Sequence, residues 1–374
     1  ADADAALVQA GVVILDEFHY MNDPQRGTVW EESCILTPAT TRLVALSATM
    51  ANAARICEWL SSIHAPTKLV ATSFRPVPLR YHFSDAAGLE PLFTSMGAGP
   101  GGNGVQKRKQ WKLNAALRHD ARAALHQQEK ERKRARAARR GGGGGRGGAG
   151  GGVAKGGDAG RGSARLSERD RYRSERRQAQ EEVPSMPFVL RCLARKQMLP
   201  AIVFIFSRAG CDEAAAAAAA MHMDLVTRAE AAEVSWRVRE WREANAQLPL
   251  NEERLERLSV GIASHHAGML PLEKRLVETL FQANLLKAVF ATETLAAGIN
   301  MPARTTVITV LSKRGDLGIA PLSASQLLQM SGRAGRRGLD ALGHVVLCRS
   351  PYEGAAQACS LLSRDADAIS SHFF

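Results

Sequence analysis

GVVILDEFHY, residues 11–20, is the stretch from which the class of fold is most readily inferred. Its first half is apolar throughout, which is typical of a strand buried on both faces of a parallel sheet, and it ends abruptly in Asp-Glu-Phe-His. Strands alternating with helices predict a doubly wound α/β sheet, in which ligands bind at the carboxyl ends of the strands. The same apolar form recurs in RLVALSAT (42–49), AIVFIFS (201–207), VGIASHH (260–266), KAVFAT (287–292), TVITVL (306–311) and HVVLC (344–348). The intervening helical stretches include CDEAAAAAAAMHM (211–223) and PLEKRLVETLFQ (271–282).

The positive charge of the chain is concentrated in one segment. The sequence has 374 residues, 45% of them hydrophobic, and a formal net charge of +12. Residues 101–180 contain 22 Lys and Arg against 7 Asp and Glu, so the remainder carries 27 basic against 30 acidic residues. A glycine run lies between two basic stretches here, and this composition cannot bury enough apolar surface to fold alone. We expect a disordered insert that is either a solvated spacer or an RNA tether, with Arg146-Gly147-Gly148 as a minimal RGG element.

The cysteines and the apolar stretches exclude several classes of protein. Six cysteines form no CxxC pair and no metal-ligand spacing, which indicates a reduced compartment and incidental buried thiols. No apolar stretch reaches the length of about 18 residues that a membrane helix needs, and no signal peptide is visible. The chain opens on Ala1 without a methionine, so we expect it to be a piece of a longer product.

Two polar sets follow the first strands of the predicted sheet. Asp16 and Glu17 come directly after Leu15, where one carboxylate could hold Mg²⁺ through water and the other could polarise a water that attacks a phosphate. An acidic surface turn is the alternative. Ser47-Ala48-Thr49 ends the next strand and could sense the state of a phosphate site, although the three residues alone would also suit a helix N-cap.

The second half of the chain contains a stronger signal. LLQMSGRAGRRG, residues 327–338, places Arg333 and Arg336 three apart, with glycines that let the backbone approach a ligand and guanidiniums that can grip phosphate oxygens. ATETLAAGINMPART (291–305) follows a strand with hydroxyls, a glycine and an amide that suit a sugar-phosphate backbone or a nucleotide edge. SHHAGMLPLEKR (264–275) adds two histidines at a strand-to-helix turn, but no complementary Cys or carboxylate set favours zinc there.

Together these motifs resemble the Ski2-like DExH-box RNA helicases of superfamily 2. DEFHY matches motif II, SAT motif III, VFIFSR motif IV, ATETLAAGINMPA motif V and QMSGRAGRRG motif VI; SFRPVPL and SHHAGMLP are further family-like blocks. The resemblance covers residues 1–84 and 183–358 and is nearest to the plant and algal chloroplast type. It implies two RecA-like lobes with parallel sheets, the first incomplete: residues 1–84 form lobe 1, 85–182 the insert, 183–350 lobe 2 and 351–374 the start of a C-terminal region.

The resemblance also implies roles for individual residues. Asp16 would bind Mg²⁺, Glu17 would activate the hydrolytic water, and ATP and RNA would be the ligands. An RNA-processing or decay complex is the implied partner, and the chloroplast, or otherwise the nucleus or cytoplasm, the implied compartment. The catalytic set is Asp16, Glu17, His19, Gln329, Arg333 and Arg336. The coupling set is Ser47, Ala48 and Thr49. The set for RNA or nucleotide binding is Ser207, Arg208, His265, His266, Thr292, Glu293, Gly298 and Asn300.

One departure from the family pattern affects the expected activity. The sequence contains no Gly-Lys pair, so no GxxxxGK[ST] phosphate loop lies within it, and we expect the chain by itself to be inactive. The strand that should lie beside GVVIL is missing with that loop, which predicts an open apolar edge. A DNA-repair helicase of superfamily 2 and a non-catalytic RNA-binding adaptor stay open as alternatives.

Overall fold

The computed structural model describes residues 10–23, 27–47, 50–72, 74–94, 112–117, 177, 179–296, 299–315 and 318–371. These residues form two lobes, each with its own sheet and core. The predicted α/β class with mostly parallel strands is confirmed. All seven strands expected from the apolar stretches are present. Most of the insert, residues 95–111 and 118–176, lies outside the described residues, so its expected disorder stays a prediction.

The helices and strands are short, and the strands end where polar residues begin. The helices are α1 (Gly27–Leu36), α2 (Ala53–Ile63), α3 (Met186–Arg195), α4 (Arg208–Ala219), α5 (Arg228–Ala244), α6 (Glu252–Leu258), α7 (Pro271–Gln282), α8 (Ala324–Gly332) and α9 (Ala355–Leu362). The strands are β1 (Val12–Leu15), β2 (Arg42–Ala45), β3 (Leu79–Ser84), β4 (Leu89–Pro91), β5 (Ala201–Phe204), β6 (Ile262–His265), β7 (Ala288–Ala291), β8 (Thr305–Ile308), β9 (Ser312–Gly315), β10 (Gly318–Pro321) and β11 (Gly343–Cys348). Single 3-10 turns cover Phe18–Asn22, Ala115–Leu117 and Glu293–Ala296.

Lobe 2 is built on a seven-stranded sheet in the order β4-β3-β11-β8-β5-β7-β6. Its pairs are parallel except for β3 with β4. Strands β5, β6, β7 and β8 are buried along their whole length, because helices and loops cover both faces of the sheet. The carboxyl ends of β5, β6 and β7 therefore meet along one edge, where the polar residues of the later motifs follow.

The lobe boundaries differ from those expected from the sequence. Strand β3 pairs with β11 over Leu79–Ser84, so residues 79–84 belong to lobe 2 and not to lobe 1. Residues 85–94 and 112–117, assigned to the insert, also pack on lobe 2, since Leu92 and Leu117 are buried in its core. At the other end, α9 buries its apolar face in the same core, so lobe 2 extends past residue 350.

Lobe 1 has a smaller core and a two-stranded parallel sheet, β1 with β2, among the described residues. Phe18, Met21, Cys34 and Leu60 are buried together, and Ile369 from the far end of the chain joins them. The outward side chains of β1 remain accessible, with Ile14 62% exposed. Val12 and Ile14 lie on one face of β1 and are exposed in the described structure, whereas the apolar sequence predicts burial on both faces. The open edge expected beside β1 stays a prediction. In the described part of the chain, no helix is both long and apolar enough to cross a membrane.

Candidate active site between the lobes

The turn after β1 holds its two acidic residues in a tight conformation. Glu17 has φ 52° and ψ 44°, a left-handed conformation that costs an L-residue with a side chain about 1–2 kcal/mol. The amide of Glu17 donates to Asp16 Oδ1 at 2.8 Å, and the amide of Phe18 donates to the carbonyl of Leu46 at 2.8 Å. The second bond ties the turn to the end of β2. Strained backbone conformations cluster at functional sites, where the surrounding structure holds the residue in place.

His19 of lobe 1 and Gln329 of lobe 2 both line a cavity between the lobes. Burial lowers the pKa of His19, which the carboxylates of Glu17 and Asp16 oppose, so the ring is neutral at pH 7. Its Nδ1 lies 3.4 Å from Glu17 Oε2, and the ring stacks on Tyr20 with a centroid distance of 5.0 Å. Among the described residues, neither His19 Nδ1 nor the buried Nε2 of Gln329 has a hydrogen-bond partner. Both therefore have hydrogen-bonding capacity to spare at the cavity.

The cavity has a volume of about 270 Å³ and is lined by both lobes. Lobe 1 contributes the 3-10 turn after the acidic pair, and lobe 2 contributes the turn after β7 and the exposed side of α8. An ion pair between Lys313 Nζ and Glu293 Oε2, 2.6 Å apart, lies on the lobe 2 side. The lining residues are His19, Tyr20, Asn22, Asp23, Met50, Glu293, Thr294, Ala296, Lys313, Ser323, Ser325, Gln326, Gln329, Met330, Asp367 and Ile369.

Arg333 joins three of the sequence motifs at the cleft. Its Nε donates to the carbonyl of Ala296 at 3.0 Å, and its Nη1 donates to the carbonyl of Ile299 at 2.5 Å. These two bonds orient the guanidinium from the end of α8. Burial lowers the pKa of Arg333, and the neighbouring Glu17 and Tyr20 of lobe 1 oppose that shift. A lobe 2 arginine therefore lies within electrostatic reach of Glu17 in lobe 1.

Comparison with known proteins agrees with this geometry. Residues 217–338 match the family model for the helicase conserved C-terminal domain. The chain is 37% identical over 375 residues to the chloroplastic DExH-box ATP-dependent RNA helicase DExH15 of Arabidopsis thaliana, covering 100% of this chain and 30% of the relative. It belongs to the Ski2-like DExH-box helicases.

Two other relatives of this helicase family come from a yeast and a mammal. ATP-dependent RNA helicase mtr4 of Schizosaccharomyces pombe is 34% identical over 364 residues, which is 96% of this chain and 29% of the relative. Superkiller complex protein 2 of Mus musculus is 33% identical over 341 residues, which is 91% of this chain and 24% of the relative. The chain thus spans less than a third of the length of these curated relatives.

The second arginine of the helicase motif VI is arranged differently from the first. Arg336 donates through Nε to Asp340 Oδ2 at 2.9 Å and through Nη2 to Asp340 Oδ1 at 3.0 Å, and its Nη1 donates to Asn284 Oδ1 at 3.0 Å. The expected reach across the cleft is not realised in this arrangement, because these lobe 2 groups occupy the guanidinium. For Arg336 to reach phosphate, it would have to leave Asp340.

The structure corrects the assignment of His265 and His266 to RNA contact. Both side chains are buried, at 2% exposed. His265 Nε2 lies 2.8 Å from Glu278 Oε1, while His266 Nε2 donates to Asp212 Oδ2 at 3.1 Å and its Nδ1 accepts from the amide of Gly268. An imidazole that is enclosed and bonded within its lobe cannot contact RNA directly, so this pair packs and orients the strand-to-helix turn.

The remaining predicted residues lie where the strand ends place them. Ser207 and Arg208 follow β5 and are exposed, and the Ser207 hydroxyl caps α4 by accepting from the Gly210 amide at 3.2 Å. Thr292 and Glu293 follow β7, which is the neighbour of β5, so all four residues share one edge of the sheet. Asn300 is exposed, and its carbonyl accepts from Gln282. Ser47 follows β2, whereas Ala48, Thr49 and Gly298 lie outside the described residues.

Sequence reasoning missed residues that hold this site together through side-chain contacts with distant residues. Asp340 is a single acidic residue just past the last glycine of motif VI, and Lys313 lies in a hairpin without a distinctive pattern. Asn52 lies more than 300 residues before Asp367 and Ile369 in the sequence. Asn52 precedes a helix, which suggests a cap, but nothing in the sequence indicates its partner. Among the described residues, no group of three His, Cys, Asp or Glu side chains could hold a metal ion alone.

Proposed function

We propose that this chain is the motor portion of an ATP-dependent RNA helicase of the Ski2-like group, which couples ATP hydrolysis to RNA unwinding with 3′-to-5′ polarity. The observation that carries the proposal is the single cavity that His19 of motif II, Glu293 of motif V and Gln329 of motif VI line together. Motifs separated by about 300 residues meet at this cavity, which is what a catalytic cleft between two lobes requires. Two relatives named as ATP-dependent RNA helicases supply the substrate class.

Each residue of the cleft has a defined part in this proposal. Asp16 supplies a carboxylate oxygen of the kind that Mg²⁺ takes, and the ion would neutralise phosphate charge when bound. Glu17 accepts the proton of the attacking water, and its strained turn fixes the direction of the carboxylate. Arg333 supplies positive charge from the second lobe, and such arginines contribute about 10³- to 10⁵-fold in phosphoryl transfer. Neutral His19 of lobe 1 and Gln329 of lobe 2 both line the cavity with hydrogen-bonding groups that have no partner among the described residues, so each can bond a ligand there.

The RNA path is proposed along the edge where β5 and β7 end. Ser207, Arg208 and Thr292 present hydroxyls and a guanidinium there, and such groups bind sugar and phosphate oxygens without reading sequence. The compartment and partner follow from the relatives alone. The chloroplastic relative supports the chloroplast, and the Superkiller complex relative supports an RNA-decay assembly.

The test is RNA-stimulated ATP hydrolysis by the product of the complete reading frame, with Glu17→Gln as the variant. Loss of the base should lower kcat by about 10²- to 10⁴-fold. Glu32→Gln is the matched control, since Glu32 is an exposed carboxylate on α1 of the same lobe, and it should leave kcat unchanged. The 374-residue chain alone contains no Gly-Lys pair and should show no ATP turnover.

Comparison of substrates separates the alternatives. Unwinding of DNA duplexes in preference to RNA duplexes would replace the RNA helicase with a DNA-repair helicase. RNA binding by the complete product, without ATP hydrolysis in any condition, would leave an adaptor and end the enzymatic proposal.

A further inference from the structure

The last described stretch of the chain, residues 363–371, connects the two lobes and is here termed the crossing segment. It begins at the end of α9, whose apolar face lies in the lobe 2 core. Four residues later Asp367 still contacts lobe 2, but Ile369 is buried in the lobe 1 core and is 6% exposed. The segment also forms part of the cavity wall between the lobes, through Asp367 and Ile369.

Asp367 attaches the segment to α8 of lobe 2. The Ser325 amide donates to Asp367 Oδ2 at 3.2 Å, and the Asp367 amide donates to Ser325 Oγ at 3.1 Å. Ser325 lies in the first turn of α8, where amides lack helical partners and a carboxylate is stabilised. Burial acts to raise the pKa of Asp367, but hydrogen bonds from Ser323 and Ser325 outweigh it and leave the pKa lowered. This helix carries Gln329 and leads directly to Arg333.

Asn52 attaches the segment to lobe 1. Its Nδ2 donates to the Ile369 carbonyl at 2.7 Å, and its Oδ1 accepts from the Ile369 amide at 2.8 Å, so one side chain satisfies both polar groups of a buried residue. The Ala51 amide also donates to the Asp367 carbonyl at 3.3 Å. The Ile369 side chain packs with Phe18 and Met21, which belong to the 3-10 turn that carries His19.

The two attachments are separated by a single residue. Three consecutive residues span at most about 7 Å between their outer Cα atoms, even when fully extended. While both attachments hold, the start of α8 therefore cannot move far from the 3-10 turn that follows Glu17. The turn and the helix are the two elements that bring Glu17 and Arg333 together.

We propose that the crossing segment positions motif VI against motif II, with Asn52 and Asp367 as positioning residues that act through Ile369 and Ser325. The proposal rests on the proposed function for its catalytic consequence, but its mechanical part does not. If the segment couples the lobes, loosening either attachment must loosen the element on the opposite side. If it belongs only to the lobe 1 core, a change will stay within lobe 1.

Amide hydrogen exchange of the 374-residue chain, followed by mass spectrometry, measures this directly. Asn52→Ala should raise exchange in peptides covering 323–332 by about fivefold, the factor that accompanies loss of about one hydrogen bond. Ser325→Ala, which removes one hydroxyl and leaves both cores intact, should raise exchange in residues 18–22 to a similar extent. Neither variant directly contacts the segment in which its effect is sought.

Ser61→Ala is the matched control in lobe 1. The Ser61 hydroxyl bonds Cys57 and Thr67 within that lobe and does not touch the crossing segment. It should raise exchange around α2 without changing residues 323–332. If Asn52→Ala behaves in the same way, or if Ser325→Ala leaves residues 18–22 unchanged, the positioning role is overturned.

A kinetic measurement tests the catalytic consequence. In the product of the complete reading frame, Asn52→Ala should lower kcat for ATP about fivefold and leave KM for RNA unchanged, because the RNA edge of lobe 2 is not altered. An unchanged kcat, with exchange coupled across the lobes, would overturn the role in hydrolysis. No ATPase in the unsubstituted protein would instead overturn the proposed function, while the exchange result, which needs no nucleotide, would still decide the coupling.

Discussion

Asp340→Asn is the substitution that should most clearly separate stability from catalysis in lobe 2. The Asp340 side chain is 1% exposed and accepts four hydrogen bonds, two at each oxygen. Arg304 Nε donates to Oδ1 at 2.8 Å, as does Arg336 Nη2 at 3.0 Å; the amide and Nε of Arg336 donate to Oδ2, both at 2.9 Å. Burial acts to raise the pKa of Asp340, yet these donors leave it below its ordinary range, so the carboxylate is charged at pH 7.

The expected loss follows from the geometry of the amide. Asparagine keeps one acceptor oxygen and turns an NH₂ group toward two donors, so two of the four bonds are lost and the donors are left facing one another. Each such loss costs about 1–3 kcal/mol, and breaking a buried ion pair costs about 3–5 kcal/mol in total. The Arg304 side chain is 33% exposed, so water can replace part of the hydrogen bonding that it loses. We therefore expect the free energy of unfolding to fall by about 3 kcal/mol.

The assay is equilibrium unfolding in urea, with a thermal scan in parallel. For a lobe of this size, about 3 kcal/mol corresponds to a fall in Tm of about 6–12 °C. Asp224→Asn is the matched control, because Asp224 lies exposed in the loop between α4 and α5 and should shift the free energy by less than about 0.5 kcal/mol. A loss below about 1 kcal/mol for Asp340→Asn would contradict the assignment of four stabilising hydrogen bonds to this carboxylate.

Two further predictions concern pH and salt. Burial, together with Arg80, lowers the pKa of His82 to about 3 and of His344 to about 4. Since the unfolded chain binds these protons near pH 6.5 and the folded chain does not, the urea midpoint should fall as pH drops from 7 to 5, and replacing both histidines with glutamine should flatten that fall. Deletion of residues 118–176, which retains the core residue Leu117, should weaken RNA binding and reduce its salt slope. An unchanged slope would leave the insert a spacer.

Local patterns in the sequence were sufficient for seven of the strands, the order of the motifs and the family. A strand buried on both faces must be apolar over its whole length, so each buried parallel strand can be recognised from its own sequence. Strands β5 to β8 were predicted for this reason, and helix α7 was predicted with its observed bounds. The motifs can be recognised because their chemistry requires particular residues at fixed spacing, as in Asp16-Glu17 or in Arg333 and Arg336.

Strand β3 shows where local reading fails. LRYHFS alternates in polarity and follows a stretch that resembles a lobe 1 block, and this local pattern predicts a position in lobe 1. Its partner β11 lies more than 250 residues further along the chain, and only that pairing assigns it to lobe 2. Sequence patterns report which face of an element is apolar, but they do not report which other element covers that face.

The class of fold, the family and the candidate catalytic residues can therefore be inferred from the order of residues. Which of those residues are accessible, and which groups hold them, follows only from the folded arrangement. It enclosed His265 and His266, bound Arg336 to Asp340, and set Arg333 near Glu17. The physical reason is that accessibility and pairing depend on groups distant along the chain. The bonds between Asn52 and Ile369 join residues 317 positions apart, and no local periodicity encodes such a contact.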